Sequence, residues 1–91
     1  MTDTRLAEIA TAQVAGKVVT ITGGTGSFGS TMARHLLDNG VAQVNVLSRD
    51  EAKQDAMRRV FADERMRYFL GDVRDRSSLE APMEGAEFVF H

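Results

Sequence analysis

Lys17-Val18-Val19-Thr20-Ile21-Thr22-Gly23-Gly24-Thr25-Gly26-Ser27-Phe28-Gly29 is the stretch that decides the fold. Lys17 to Thr22 reads as a strand, and its nearly unbroken apolar character is what a parallel strand covered on both faces requires. Phe28, Met32, Ala33, Leu36 and Leu37 then recur at helical spacing, and Gly40 falls where a left-handed cap would end a helix of about residues 27–39. Glycines at 24, 26 and 29 form a weak pattern alone, since a tight turn would also use them. Placed between a strand and a helix, each has a physical task. One turns the chain, one lets backbone approach a pyrophosphate, and one lets the helix pack closely on the sheet. The helix then points its N-terminus at phosphate.

Working outward, Val44 to Leu47 reads as a second strand, followed by Ser48-Arg49-Asp50-Glu51 in the Ser-x-x-Glu form of a capping box. Ala52, Ala56, Val60 and Phe61 place an apolar stripe on the helix this box would start. A third strand, Met66 to Leu70, ends at Gly71-Asp72-Val73. Ser77 to Glu84 reads as a short helix that Pro82 should interrupt or confine to its first turns. Gly85 precedes a fourth strand, Glu87 to Phe90. Ahead of all this, Leu6, Ile9, Ala10 and Val14 give residues 2–15 the spacing of a short amphipathic helix, with a partly ordered leader as the alternative. The division is therefore a leader, 1–14, and one body, 15–91.

The alternation β-α-β-α-β-α-β means a parallel sheet with right-handed crossovers. The class is α/β, the N-terminal half of a doubly wound Rossmann sheet is expected, and for such a dinucleotide fold the expected strand order is 3-2-1-4. The fourth strand of such a sheet is central, so a partial domain, truncated after that strand with an open edge prone to association, is the expectation. A half-domain of this size also has little stability in reserve.

The 91 residues carry a net charge of −2, with 43% hydrophobic and 26% charged residues, as one ordinary globular domain does. Basic and acidic residues are interleaved, which argues against a nucleic-acid partner. There is no cysteine, so a disulfide framework and a thiolate metal site are excluded. No apolar run approaches the length that spans a bilayer, and no signal pattern opens the chain, so no membrane partner and a cytoplasmic location are expected.

A P-loop would need Gly-Lys-Ser/Thr at its end, whereas Gly29 is followed by Ser30 and Thr31. At the tip of the second strand, where an Asp or Glu would bind the adenosine ribose of NAD, the chain has Ser48 and Arg49. A hydroxyl and a guanidinium favour a ribose phosphate, and hence NADP, by about 1.5 to 3 kcal/mol or one to two decades. Lys53 could add a cation. The plainer readings are that Ser48 caps the helix and that Arg49 and Lys53 belong to a solvated face. Asp72 could accept from the adenine amino group with Val73 against the ring, or it could cap the following turn. His35 reads as exposed, and His91, after the fourth strand, receives no role. No catalytic set of nucleophile, base and orienter and no metal cluster can be assembled.

Together, Thr22-Gly23-Gly24-Thr25-Gly26-Ser27-Phe28-Gly29, Ser48-Arg49-Asp50-Glu51-Ala52-Lys53 and Arg65-Met66-Arg67-Tyr68-Phe69-Leu70-Gly71-Asp72-Val73-Arg74-Asp75 resemble the extended short-chain dehydrogenase/reductase family. More narrowly, they resemble its UDP-N-acetylglucosamine 4,6-dehydratases and related polysaccharide-biosynthesis proteins, over about residues 15–91. The resemblance implies that Gly23, Thr25, Gly26, Ser27, Phe28 and Gly29 hold the pyrophosphate of NADP. It implies that Ser48 through Lys53, with Ser48, Arg49, Asp50 and Lys53 as the binding residues, surround the ribose and its phosphate, and that Asp72 and Val73 contact adenine. It also implies a lyase cycle in which hydride leaves sugar C4, water is lost across C5 and C6, and hydride returns to C6. The acid/base Lys and Asp or Thr and the Tyr-x-x-x-Lys pair of that cycle are expected beyond residue 91. Tyr68 has no lysine four positions on. The expectation is thus the NADP-binding part of a nucleotide-sugar 4,6-dehydratase, homo-oligomeric in a longer form. The alternatives are a non-catalytic NADP-binding sensor and a truncated product without activity.

Overall fold

The structure, a computed structural model, describes residues 14–23 and 25–90. The expected leader helix lies outside the described residues except for Val14 and Ala15, as do Gly24 and His91. Val14 is not helical: it is buried in the core, and its carbonyl accepts from Lys17 N at 2.9 Å in a turn.

Four parallel strands form one sheet: β1 (Val18–Thr22), β2 (Gln43–Ser48), β3 (Met66–Leu70) and β4 (Phe88–Phe90). Their order is β3-β2-β1-β4, as expected for a dinucleotide fold. The helices between them are α1 (Ser27–Asp38), α2 (Glu51–Phe61) and α3 (Arg76–Met83). Two crossovers run one way from β1 and the third runs back past it, so right-handedness puts α1 and α2 on one face and α3 on the other.

Side chains alternate across the sheet accordingly. On the α1 and α2 face, Phe88, Val19, Val44 and Met66 form one cross-strand row, and Phe90, Ile21, Val46 and Tyr68 form the next. Met32, Ala33 and Leu36 of α1 and Met57 of α2 close over these rows. Each such large side chain contributes about 1.5–3 kcal/mol when fully buried.

The opposite face is polar at its centre. Thr20 and Asn45, both buried, donate to the carbonyl of Pro82, Asn45 Nδ2 at 3.0 Å. Gln43 Nε2 donates to Asn45 Oδ1 at 2.7 Å. Contrary to the expectation from sequence, α3 continues through Pro82. The proline stands in the last turn, where its missing N–H breaks at most one bond, and its carbonyl belongs to the end group that no helical donor reaches. The strands supply those donors.

The face of α2 also differs from the apolar reading. Ala52 and Ala56 are exposed and Val60 is 67% exposed, while Gln54 and Met57 are buried and Phe61 is half-buried. Gln54 turns inward because Nε2 donates to Phe69 O at 2.8 Å and to Ser48 Oγ at 3.2 Å, joining the ends of β2 and β3. Ala56 and Val60 instead line a surface groove with Thr31 and Arg34 of α1. His35, expected to be exposed, is half-buried. Gly40 adopts φ +82°, as a left-handed end to α1 requires. Among the described residues no helix is long and apolar enough to cross a membrane.

Candidate functional site

The C-terminal ends of β1, β2 and β3 open into a cleft of about 730 Å³. From β1 come Gly23 and Thr25. Gly23 takes φ +65°, a conformation that glycine adopts without cost, and its N–H donates to Leu47 O at 2.7 Å. This bond ties the turn after β1 to the end of β2. The N-terminus of α1 follows at once. Its cap is Gly26, no side chain supplies a capping bond, and no acid stands in its first turn. The other two helices cap themselves: Asp50 accepts from Lys53 N at 3.0 Å, and Asp75 accepts from Ser77 N at 3.0 Å. Among the described residues, no side chain thus caps the first N–H groups of α1.

Asp50 as the cap of α2 corrects the capping box expected at Ser48. Strand β2 runs through Ser48, so helical backbone begins two residues later than that pattern requires. Ser48 is buried, and its Oγ accepts from Asp50 N at 3.3 Å and from Gln54 Nε2 at 3.2 Å. Both contacts use the oxygen, so its proton remains available to donate. Arg49 and Lys53 are exposed on the rim beside it.

Across the cleft, Gly71 N donates to Ser48 O at 2.9 Å and sets the loop after β3 against the loop after β2. Gly71 is required by close approach, because a Cβ there would lie 2.7 Å from Ser78 Cβ and 3.3 Å from Leu47 Cδ1. Asp72 follows. Its Oδ1 accepts from Arg74 N at 2.9 Å, its Oδ2 accepts from Arg74 Nη2 at 2.7 Å, and Arg49 Nη1 stands 3.5 Å from Oδ2. The hydrogen bonds of Arg74, and then the charge of Arg49, hold the Asp72 carboxyl well below the usual carboxylate range. The turn reading of Asp72 is therefore correct in part, since its side chain organises residues 72–74.

Of the residues singled out from sequence, Gly23, Thr25, Ser48, Arg49, Asp50, Lys53, Asp72 and Val73 come together around this cleft. Gly26, Ser27, Phe28 and Gly29 do not line it. Gly29 is buried on the sheet side of α1, and Phe28 is 53% exposed. Leu47, Gly71 and Arg74 line the cleft without having been expected there, and Glu51 lines it within the expected stretch 48–53. The close packing of Gly71 depends on α3 and left no local signal. Arg74 had one, because its Asp-x-Arg pattern at 72–74 also occurs at 63–65 and at 3–5. Among the described residues no group of three His, Asp or Glu side chains is placed to hold a metal.

Comparison with known proteins gives the same picture of a first half. UDP-N-acetylglucosamine 4,6-dehydratase (inverting) of Campylobacter jejuni strain 81-176 is 48% identical over 77 residues, 84% of this chain and 23% of that protein. UDP-glucose 4-epimerase of Rickettsia canadensis is 37% identical over 79 residues, 82% of this chain and 23% of that protein. The chain therefore spans less than a quarter of the length of either relative. Among solved structures, Pen from Bacillus thuringiensis superposes with a TM-score of 0.82 at 34% identity, over 87% of this chain and 24% of that one. Bordetella bronchiseptica WbmF, solved in complex with NAD+, gives a TM-score of 0.70 at 25% identity, over 88% of this chain and 24% of that one. The sheet is thus the first half of a Rossmann fold. The family profile described as polysaccharide biosynthesis protein matches residues 19–91, from β1 through every loop that lines the cleft, and on that match the chain belongs to the polysaccharide biosynthesis protein family.

Proposed function

We propose that these residues form the NADP-binding part of a nucleotide-sugar 4,6-dehydratase acting in surface-polysaccharide synthesis. The observation that carries the reading is the uncapped N-terminus of α1 opening beside a cleft whose far rim bears Arg49, Lys53 and Arg74. An anion at that helix end gains about 0.3–1 kcal/mol from the helix dipole. Thr25, Gly26 and Ser27 supply the backbone for a pyrophosphate, with Gly29 allowing α1 to sit close to the sheet. The Ser48 hydroxyl and the Arg49 and Lys53 cations take the ribose and its phosphate. Asp72 and Val73 face the adenine.

The bound nicotinamide supplies a hydride acceptor for sugar C4. The contribution of this chain is to bind and orient that group. The 48% identity to a 4,6-dehydratase favours dehydration over the 4-epimerisation of the 37% identical relative. WbmF was solved with NAD+, so the preference for NADP rests on Ser48, Arg49 and Lys53 alone.

Titration of the chain with NADPH and NADH, followed by fluorescence, tests the reading. Tighter binding of NADPH is expected, and Arg49→Ala should weaken NADPH by about 10- to 100-fold while changing NADH little, as loss of a charge-assisted hydrogen bond does. Equal loss for both would make Arg49 a surface charge. No binding of either at millimolar concentration would end the cofactor reading.

A further inference from the structure

The Asp72 carboxylate meets two guanidinium groups that hold it unequally. Arg74 grips it through the backbone N–H at 2.9 Å, Nε at 3.1 and 3.2 Å, and Nη2 at 2.7 Å, all from the same loop. Arg49 reaches over from the loop after β2 with one contact of 3.5 Å, and its side chain is 70% exposed. The first arrangement is forked and local. The second is a single exposed ion pair, which an anion of higher charge displaces readily.

The other rim charges do not offer Arg49 a stronger partner. Asp50 is committed to capping α2, and Glu51 lies in the first turn of α2, where the helix dipole favours a carboxylate. Arg49 is therefore the cation a ribose phosphate would recruit, and Asp72 is the group it would recruit it from.

Resting on the reading that the cleft holds an adenosine cofactor, we propose that Asp72 and Arg74 tune the preference for a ribose phosphate without touching it. Asp72 competes with the phosphate for Arg49. Arg74 holds Asp72 to its own loop and so weakens that competition. Both are positioning residues, and Arg49 is the group that meets the ligand.

The test compares adenosine 2′,5′-bisphosphate with adenosine 5′-monophosphate by calorimetric titration of the chain, reading the ratio of their affinities. Any effect of a variant on folding or on adenine binding falls on both nucleotides and cancels in the ratio. Asp72→Asn should raise the ratio by about two- to fivefold, the range of one exposed ion pair, and Arg74→Ala should lower it by a similar factor. In an Arg49→Ala background, both substitutions should leave the ratio unchanged, because the path through Arg49 is gone.

Changes of the same size in that background would show that Asp72 and Arg74 act on the phosphate directly, and would overturn the proposal. An unmoved ratio in the parent chain would overturn it too. Both of these failures leave the cofactor reading intact. If the chain binds neither nucleotide, the cofactor reading falls and this proposal falls with it.

Discussion

Asp63-Glu64-Arg65 and Asp72-Val73-Arg74 stand at opposite ends of β3 and fold into the same clamp. In both, the arginine N–H donates to Oδ1 at 2.9 Å, Nε donates to that oxygen at 3.0 or 3.1 Å, and Nη2 donates to Oδ2 at 2.8 or 2.7 Å. Their outward connections differ. Arg65 Nη1 donates to Leu37 O at 3.1 Å and to Val41 O at 3.3 Å, satisfying a carbonyl in the last turn of α1 and one ahead of β2. The second clamp makes its outward contact through the acid, to the exposed Arg49 on the rim of the cleft. One local motif ties elements together where its spare donor reaches backbone, and presents charge where its acid faces the cleft.

The residue ahead of the second clamp gives the largest expected effect. Gly71→Ala would force a Cβ against Ser78 Cβ and Leu47 Cδ1. Overpacking of this kind costs about 1–3 kcal/mol, and each kcal/mol lowers Tm by about 4–8 °C in a chain of this size. Because Gly71 also fixes the loop that carries Asp72, dinucleotide affinity should fall in the same variant. A melt monitored by circular dichroism checks the first effect; an unchanged Tm would mean that α3 yields at no cost.

Substituting the two arginines separates their roles. Arg65→Ala should lower Tm by about 4–8 °C, corresponding to about 1 kcal/mol for two hydrogen-bonded carbonyls after allowance for solvent screening. Arg74→Ala should lower Tm by less, since its side chain is 76% exposed and, among the described residues, bonds within its own loop. Equal losses in the two melts would abolish the distinction drawn between the clamps. At the lower clamp, Ala62 ends α2 at φ +44°, ψ +44°, a left-handed conformation that carries a penalty for alanine. Ala62→Gly should stabilise by about 0.5–1 kcal/mol, the penalty being partly offset by the greater freedom of glycine in the unfolded chain. Thermal melts of this variant should show a small rise in Tm.

Much of this was legible in the sequence, and what was not has a common cause. The strands and the turn after β1 follow from local pattern, because apolar runs and glycine positions are read residue by residue, and the strand order follows from the dinucleotide fold those glycines suggest. The inward face of α2 was misplaced because Gln54 is buried for its hydrogen bonds, and a polar residue turned inward cancels an apolar period. The cap moved from Ser48 to Asp50 because the end of β2 is set by pairing with β3, through Ser48 opposite Leu70. Pro82 stays in α3 because Thr20 and Asn45, far away in sequence, bond its carbonyl. For the site, the polar and charged types at 48, 49 and 72 were readable as candidate chemistry, whereas Gly71 and Arg74 are defined by contacts their local sequence does not show.

The smallest expected effect is on the acid limb of stability, and it distinguishes the clamps by the pH at which it ends. The hydrogen bonds from the Arg65 side chain, then that from its backbone, lower Asp63 from 3.8 to about 2. A carboxyl lowered in the folded chain binds protons more readily when unfolded, so its stabilising contribution is complete above the ordinary value and is lost as pH falls through the folded one. The window is therefore pH 4 down to about pH 2. In that window the Tm of Asp63→Asn should fall less steeply than that of the parent, the two curves converging towards acid. Asp72, lowered further by Arg74 and Arg49, keeps its charge in the folded chain through the same window while the unfolded chain takes up a proton there, so its contribution is also lost across the window and beyond its acid end. Asp72→Asn should then converge on the parent too, and go on converging below about pH 2, where Asp63→Asn has finished. Convergence that ends at a higher pH for Asp72→Asn than for Asp63→Asn would reverse the order of the two clamps.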